Sequence, residues 1–518
     1  MDRKQTFKDV ITSGYACKGP HIVLGAAMLD GEPVKEAKVA VPLKTMNRHG
    51  LVAGATGTGK TKTLQVISEQ LSENGVPVLL MDVKGDLSGI AMPGEPKPFI
   101  AEKHEKIDIP YQTKAYPVEL MTLSKQEGVR LRATVSEFGP VLLSRILELN
   151  DTQSGVLAVI FKYCDDRNLL LLDLKDLKKV LQYVTEEGKA DVEQSYGKIS
   201  SATTGIITRK ILELEQQGAE LFFGERSFEV SDLMRTDRNG NGYINIIRLT
   251  DIQDKPKLFS TFMLSLLAEI YSTMPEKGDA EKPELVIFID EAHLIFNQAS
   301  KALLDQIENI VKLIRSKGVG IFFVTQNPQD VPNGVLSQLG LKVQHALRAF
   351  TAVDRKSIKL TAENYPDSPY YKTDEVITSL GIGEALVTAL SEKGIPTPLA
   401  ATMLRAPQSR MDILTPAEIS SINRSSELVR KYGEVIDRES AYEILSGKVA
   451  EIEKDKAEEA ERKEWEKQRR EEERYSPARR TPAPSYRRTV KSPQDEMVKV
   501  LTSATFIRGV FGILKKVL

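Results

Sequence analysis

An eight-residue glycine-rich segment, Gly54 to Thr61, constrains this chain more than any other feature. It reads GATGTGKT and fits the pattern G-x-x-x-x-G-K-[ST] without deviation. The apolar run HGLVAG leads into it, and the helix-forming stretch KTLQVISEQL follows it. The bare pattern arises by chance in roughly two per cent of chains this long, so the flanking segments carry the prediction. They predict a strand, a phosphate-binding loop and a helix of an α/β domain.

The residue types of this loop suit a nucleotide. Glycines let successive N–H groups turn inward, and the N-terminus of the following helix adds partial positive charge that attracts phosphates. Lys60 is predicted to reach the β- and γ-phosphates and Thr61 to offer its hydroxyl to Mg²⁺, so ATP and Mg²⁺ are the expected cofactors. The predicted nucleotide contacts are Gly54, Ala55, Thr56, Gly57, Thr58, Gly59, Lys60, Thr61 and Lys62.

From Gly50 to Pro407, short apolar runs alternate with longer helical stretches. This alternation is typical of parallel strands joined by helical crossovers, and several runs lack polar alternation, as strands covered on both faces do. The predicted strands are Gly50–Gly54, Pro77–Val83, Gly242–Leu249, Leu285–Asp290, Gly320–Thr325, Leu341–Arg348, Ala385–Ala389 and Leu399–Met403.

Polar groups follow three of these runs. LVIFIDE ends in Asp290, which would hold Mg²⁺ through water, and Glu291, which would activate the attacking water as general base. GIFFVTQ ends in Gln326, which would sense the γ-phosphate and position that water. MDVKGD places Lys84 between Asp82 and Asp86, either as a local ion-pair turn or as a contact to nucleotide or substrate.

The combination of GATGTGKT, MDVKGDLSG, a strand ending in DEAH, and RSKGVGIFFVTQNP resembles the HerA/FtsK superfamily of ring ATPases, in particular HerA-like bacterial proteins of the YjgR type. The resemblance spans about Pro20 to Pro407. It implies a RecA-like ASCE core, an extra strand between the P-loop and Walker-B strands, and a homo-hexamer that pumps or unwinds DNA. DEAH is here a Walker-B pair followed by Ala-His, because the other helicase motifs are absent.

By the family's pattern, an arginine from the adjacent subunit completes each site. Arg315, in LIRSKGVG, is the best candidate, and Arg348, in VQHALRAF, is the second. The alternative for Arg315 is a solvated helix end that the helix dipole favours.

The sequence also departs from the family. HerA carries an N-terminal barrel that engages a nuclease, and fewer than fifty residues precede the P-loop strand here, which makes a NurA-like nuclease partner doubtful. From the sequence we expect neither a winged-helix module like that of FtsK after the core nor a transmembrane anchor before it, and therefore no role at the septum.

Composition shifts along the chain predict its organisation. The helix-rich stretch 122–225 is predicted to be an insertion that serves either as packing material and lid or as a grip on substrate. A charged, partly disordered tail would carry a terminal helix that docks on protein, with an anionic membrane surface as the less favoured alternative. The predicted segments are 1–45 (a short lead-in), 46–121 and 226–407 (the core), 122–225, 408–445 (a helical extension), 446–494 (a charged helix and a basic Pro/Ser linker) and 495–518 (an amphipathic helix).

Net charge, cysteine content and hydropathy limit the possible partners, metal sites and location of the protein. A formal net charge of -1 gives no global attraction for nucleic acid, and two cysteines, Cys17 and Cys164, build neither a disulfide framework nor a zinc ribbon. The expected location is the cytoplasm, since neither a signal peptide nor an apolar run of about 18 residues occurs. The expected function is ATP hydrolysis by a DNA translocase or helicase-like motor. The alternatives are a nucleotide-controlled scaffold and a kinase-type enzyme, the latter weakened by Glu291.

Overall fold

The computed structural model describes residues 2–278, 280–296, 301–434, 436 and 438–475. Within these residues, one sheet of twelve strands runs in the order β2-β1-β12-β11-β10-β3-β9-β8-β4-β7-β5-β6. The strands are β1 (His21–Leu29), β2 (Glu32–Pro42), β3 (Gly50–Ala53), β4 (Val78–Asp82), β5 (Val118–Thr122), β6 (Val129–Arg130), β7 (Ile244–Arg248), β8 (Leu285–Ile289), β9 (Val319–Thr325), β10 (Leu341–Gln344), β11 (Glu384–Thr388) and β12 (Ala400–Leu404).

The eight strands from β10 to β6 in this order are mutually parallel, and β11, β12, β1 and β2 continue the sheet as antiparallel strands. Each predicted strand is present with ends shifted by a few residues. Strand β9 lies between β3 and β8, which is the position of the extra strand that the resemblance implied. The α/β class and the RecA-like, mostly parallel core are confirmed.

Two buried layers cover this sheet. Val78 and Leu80 of β4 face one layer, and Leu79 and Met81 of the same strand face the other. Such two-sided burial explains the unbroken apolar runs of the parallel strands.

Eighteen α-helices occur in the described residues. They are α1 (Arg3–Gly14), α2 (Lys60–Glu73), α3 (Pro98–Ile107), α4 (Val135–Ile146), α5 (Asp151–Asp166), α6 (Leu174–Tyr183), α7 (Lys189–Tyr196), α8 (Ser201–Gln216), α9 (Val230–Leu233), α10 (Pro256–Thr273), α11 (His293–Phe296), α12 (Lys301–Ile314), α13 (Asn333–Leu336), α14 (Ala352–Ala362), α15 (Thr373–Ser379), α16 (Pro416–Ser425), α17 (Glu427–Gly433) and α18 (Ala441–Tyr475).

Residues 1–45 do more than lead into the core, because β1 and β2 extend the sheet. Gly25 pairs with Leu404, and a Cβ at Gly25 would come within 2.0 Å of the Met403 carbonyl oxygen, so β12 can approach β1 only beside a glycine. Asp30 and Gly31 turn the hairpin with φ of 52° and 85°. Asp-Gly between apolar runs is a hairpin signal that the sequence analysis did not use.

The interval 122–225 is mainly helical, with α4 to α8 as predicted. Two strands near its start were not predicted: β5 ends at Thr122, and the two-residue β6 lies inside the interval. Apolar side chains of α5, such as Leu157 and Ile160, share one buried cluster with Phe262 of α10. The insertion therefore packs on the sheet domain through a common core.

The chain divides into two units, Met1–Glu451 and Ile452–Leu518. The predicted charged helix is present as the later part of α18. The basic Pro/Ser linker beyond residue 475 and the amphipathic segment 495–518 lie outside the described residues. No helix in the described ranges is both long and apolar enough to span a bilayer.

Candidate nucleotide-binding site

The backbone of the Gly54–Thr61 loop requires its glycines. Gly54, Gly57 and Gly59 have φ of 152°, 79° and 110°. A Cβ on Gly54 would also come within 2.5 Å of the His345 Cβ atom. A side chain at Gly54 would therefore be strained by its backbone conformation and by steric overlap.

Neighbouring strands hold the loop in place. The Gly54 N–H donates to the Thr325 carbonyl at the end of β9 over 3.3 Å, and the Ala55 N–H donates to the Ala346 carbonyl beyond β10 over 2.8 Å. On the loop's outer side, the Gly383 N–H donates to the Thr58 carbonyl over 3.1 Å. These bonds fix the loop at the carboxyl edge of the parallel strands, where α/β sheets bind ligands.

Lys60 lies buried at the start of α2. Its ammonium donates to the Gly54 and Ala55 carbonyls over 2.6 and 3.1 Å. Burial, reinforced by the positive charge of Lys84, lowers the pKa of Lys60, while the nearby carboxylates of Glu291 and Asp290 oppose that shift.

Thr61 and Lys62 follow in the first turn of α2 and are half-buried. The Lys62 ammonium donates to the Met411 carbonyl over 2.5 Å, so this side chain contacts the C-terminal extension.

Asp290 and Glu291 follow β8 directly, and each is 5% exposed. Burial, reinforced by the negative charge of Glu291, raises the pKa of Asp290 to about 7. Glu291 has a left-handed φ of 48°, which few non-glycine residues adopt. Its carboxylate contacts the Lys84 ammonium on one oxygen and lies 3.1 Å from the His293 Nδ1 atom on the other.

Gln326 follows β9 and is exposed. The Thr56 hydroxyl donates to the Gln326 side-chain oxygen over 3.4 Å, so the predicted sensor contacts the predicted phosphate loop. Because β9 lies between β3 and β8, Gln326 lies on the edge between the loop and Asp290.

Lys84 extends from a turn that Asp82 stabilises. The buried Asp82 carboxylate accepts N–H bonds from Gly85, Asp86 and Leu87 over 2.7, 3.2 and 3.1 Å. Burial outweighs these bonds and raises the pKa of Asp82 to about 6. The sequence left open whether Lys84 forms a local ion pair or contacts the nucleotide or substrate. In the structure Lys84 forms an ion pair, but its partner is Glu291, which is distant in sequence.

His345 is a site neighbour that the sequence analysis did not identify. It is fully buried, and its Nε2 atom lies 2.9 Å from the Thr63 hydroxyl of α2. Burial lowers the pKa of His345 to about 3, which keeps the imidazole neutral next to Lys60. The sequence prediction placed His345 inside the strand Leu341–Arg348, whereas β10 ends at Gln344, so His345 is the first residue beyond the strand.

The two arginine candidates lie at opposite ends of the parallel strands. Arg315 is exposed in a 3₁₀ turn, Arg315–Lys317, just before β9, at the amino ends of the parallel strands. Arg348 is exposed beyond β10, at the edge that carries the loop. Arg315 is therefore separated from the nucleotide loop of its own chain by the length of β9, and its role across subunits stays a prediction.

The donor set suits a magnesium nucleotide. Mg²⁺ retains most of its waters and needs one or two protein oxygens beside the phosphates, and the Asp290 carboxylate and Thr61 hydroxyl are oxygen donors of that kind. The described residues contain no cluster of three or more His, Cys, Asp or Glu side chains arranged for a metal. Asp290 and Thr61 would hold Mg²⁺ together with phosphate, and the loop amides and Lys60 would hold the phosphates themselves.

Comparison with known proteins gives relatives and a fold neighbour. The chain is 19% identical over 370 residues to the DNA double-strand break repair helicase HerA of Sulfolobus acidocaldarius, covering 68% of this chain and 64% of that protein. It is 25% identical over 350 residues to a probable helicase of Methanocaldococcus jannaschii, covering 66% and 60%. The chain thus spans somewhat less than two thirds of these relatives.

A solved structure of the bacterial conjugative coupling protein TrwB, in complex with sulphate, has the same fold. It superposes with a TM-score of 0.50 at 15% identity, covering 79% of this chain and 94% of that one. The family model described as "Helicase HerA-like C-terminal" matches residues 28–517, nearly the whole chain. The chain therefore belongs to the helicase HerA-like C-terminal family.

Proposed function

We propose that this protein hydrolyses ATP and uses the energy to translocate on DNA as a homo-hexameric ring in the cytoplasm. The observation that carries the proposal is the convergence of the phosphate loop, Asp290, Glu291 and Gln326 on one edge of the sheet. A loop alone would serve a kinase or a switch equally well, whereas a buried carboxylate beside it favours hydrolysis.

Each side chain of the site has a separate role in the proposed hydrolysis of ATP. Glu291 accepts the proton of the attacking water, and Gln326 orients that water between the carboxylate and the loop. Lys60 and the loop amides stabilise negative charge on the phosphates. Mg²⁺, when bound with ATP, neutralises further phosphate charge. The Lys84 contact holds the Glu291 carboxylate at the site edge.

Exposed apolar side chains near the loop support a ring. Phe350, Val353 and Ile382 are 86%, 76% and 78% exposed. Ile382 adjoins Gly383, which bonds the loop, and the other two follow Arg348. Large apolar side chains grouped around a site are typical of a surface that a partner covers. A neighbouring subunit there would also bring its own arginine to the nucleotide, which suits Arg315 on the opposite edge.

The relatives support DNA as the substrate, since the Sulfolobus protein is a DNA double-strand break repair helicase. Cys17 and Cys164 are both free, which suits a reducing compartment.

The test is phosphate release by the full-length protein with and without duplex DNA. We expect DNA to stimulate turnover, and Lys60→Ala and Glu291→Gln each to reduce it at least 100-fold, the scale of a lost catalytic base. Lys189→Gln, an exposed charge change on α7, is the control and should retain wild-type turnover. Unchanged turnover in Glu291→Gln would reject the assigned base, and a phosphorylated acceptor would indicate a kinase-type enzyme.

A further inference from the structure

A cavity lies at the same carboxyl ends of the parallel strands as the candidate nucleotide site. It has a volume of about 700 Å³ and is bounded by the loop after β5, by β6 and by helices α16 and α17. Five strand positions separate β5 from the P-loop strand β3, which is about 24 Å along the edge at the usual strand spacing. The cavity is therefore distinct from the nucleotide site and faces the same way.

The lining of this cavity is strongly basic. Lys125, Arg130, Arg424 and Arg430 line it, and no ion pair involves any of them within the described residues. Glu127 is the single acidic lining residue that the described chain contributes, and its carboxylate accepts a bond from the Ser420 hydroxyl over 2.9 Å. Four positive charges and one negative charge thus surround one opening, a net charge of about +3.

A buried amide without partners lies in the same lining. Asn423 is 7% exposed, and neither its side-chain oxygen nor its nitrogen has a hydrogen-bond partner in the described structure. The side-chain oxygen of Gln126, another lining residue, also lacks one. An unsatisfied buried polar group costs about 1–3 kcal/mol, so such a group in a basic cavity indicates a ligand that supplies the missing partner.

We infer that this cavity binds phosphate groups of a nucleic-acid backbone, with the four basic residues as counter-charges and the Asn423 amide as a hydrogen-bond donor. Arginine and lysine with a neutral amide are typical phosphate contacts. Lys125, Arg424 and Arg430 are exposed at the rim, so a strand can pass the cavity without being enclosed. The inference rests on the proposed function only for choosing nucleic acid as the source of the phosphates.

The primary experiment compares salt dependence of duplex DNA binding, measured by fluorescence anisotropy on the full-length protein. The test variant is Arg424→Gln/Arg430→Gln. The control is Lys189→Gln/Lys198→Gln, which removes the same charge from exposed positions of the helical insertion without an ion pair in the described structure.

Each phosphate contact contributes about 0.9 to the slope of log affinity against log salt. Loss of two contacts should make the slope about 1.8 less steep. The ratio of wild-type affinity to variant affinity should therefore fall about twelvefold between 50 and 200 mM salt. The control should keep the wild-type slope. Equal slopes in wild type and test variant, or an equal loss in the control, would overturn the inference.

A second variant tests the amide. Asn423→Asp places a carboxylate among the phosphate contacts and should weaken DNA binding at least tenfold, with circular dichroism and DNA-free ATP turnover unchanged. Unchanged DNA affinity would contradict the role of Asn423.

Calorimetry with ADP on the Lys60→Ala background distinguishes a free nucleotide as the source of phosphate. Residual ADP binding that Arg424→Gln/Arg430→Gln abolishes would reassign the cavity and overturn the nucleic-acid inference. If ATP turnover is absent in wild type but the slopes differ as expected, the proposed function fails and this inference stands.

Discussion

Glu69 offers a quantitative test of how the helix after the phosphate loop is held. It lies on α2 and is 3% exposed. Its carboxylate accepts the N–H groups of Gln408 and Ser409 over 2.9 and 3.0 Å and the Ser409 hydroxyl over 2.5 Å. The C-terminal extension is thereby tied to the helix that begins at Lys60. Burial outweighs these bonds and raises the pKa of Glu69 from 4.5 to about 6.

The sign of the pH effect follows from that shift. The folded protein holds the Glu69 proton more tightly than the unfolded chain, so this contribution to stability is fully present below pH 4.5 and is lost as pH rises through 6. The rise of the Glu69 pKa from 4.5 to about 6 corresponds to about 2 kcal/mol. Glu69→Gln cannot titrate, so its stability should lack this component.

Urea unfolding followed by circular dichroism at pH 4 to 7.5 measures the effect. The free energy of unfolding of wild type minus that of Glu69→Gln should fall by about 2 kcal/mol over this range, with most of the change between pH 4.5 and 6. Glu102→Gln, at an exposed position of α3, is the matched control for loss of a carboxyl group, and the fall for Glu69→Gln should exceed any change that this control gives. A flat difference for Glu69→Gln would refute the reasoning because the hydrogen bonds would then cancel burial, and a difference that rises with pH would refute it because they would outweigh burial.

Three further predictions concern turnover. Gln326→Ala should lower kcat about 100-fold with little change in the KM for ATP, because it removes the group that orients water; an equal rise in KM would assign Gln326 to binding instead. Lys84→Ala should lower kcat about tenfold and Lys84→Arg should restore most of it, because the buried carboxylate of Glu291 needs a neighbouring cation; equal turnover in the two variants would exclude that role. Arg315→Ala and Lys60→Ala should each be inactive alone, yet an equal mixture should regain about a quarter of wild-type turnover if Arg315 acts on the adjacent subunit. No recovery in the mixture would argue against that role.

Local sequence was sufficient to place the residues of the candidate nucleotide site at one end of the parallel strands. The loop from Gly54 to Thr61 and the polar residues at Asp290, Glu291 and Gln326 each follow an apolar run that forms a parallel strand. Parallel strands end at one edge, so residues that follow different strands meet there whatever their separation in sequence. This is why these residues and the sheet class could be predicted together.

Local sequence was insufficient wherever a contact depends on which strands become neighbours. Strand β1 pairs with β12, nearly 400 residues later, and Lys84 after β4 contacts Glu291 after β8 because β4 and β8 are adjacent. The order of strands across a sheet is chosen by packing of whole elements, which no short window of sequence reports.

The sequence by itself thus determined a phosphate loop and a carboxylate pair on an α/β sheet. Only the tertiary structure decided that Lys84 neutralises Glu291, that Arg315 lies at the opposite edge from the loop, and that residues near 125 and 424 enclose a basic cavity. The physical reason is the separation along the chain of the residues that determine each feature. A strand, a turn or a helix start is set by neighbours within about ten residues, whereas charge pairing and burial depend on segments that meet only when the core closes.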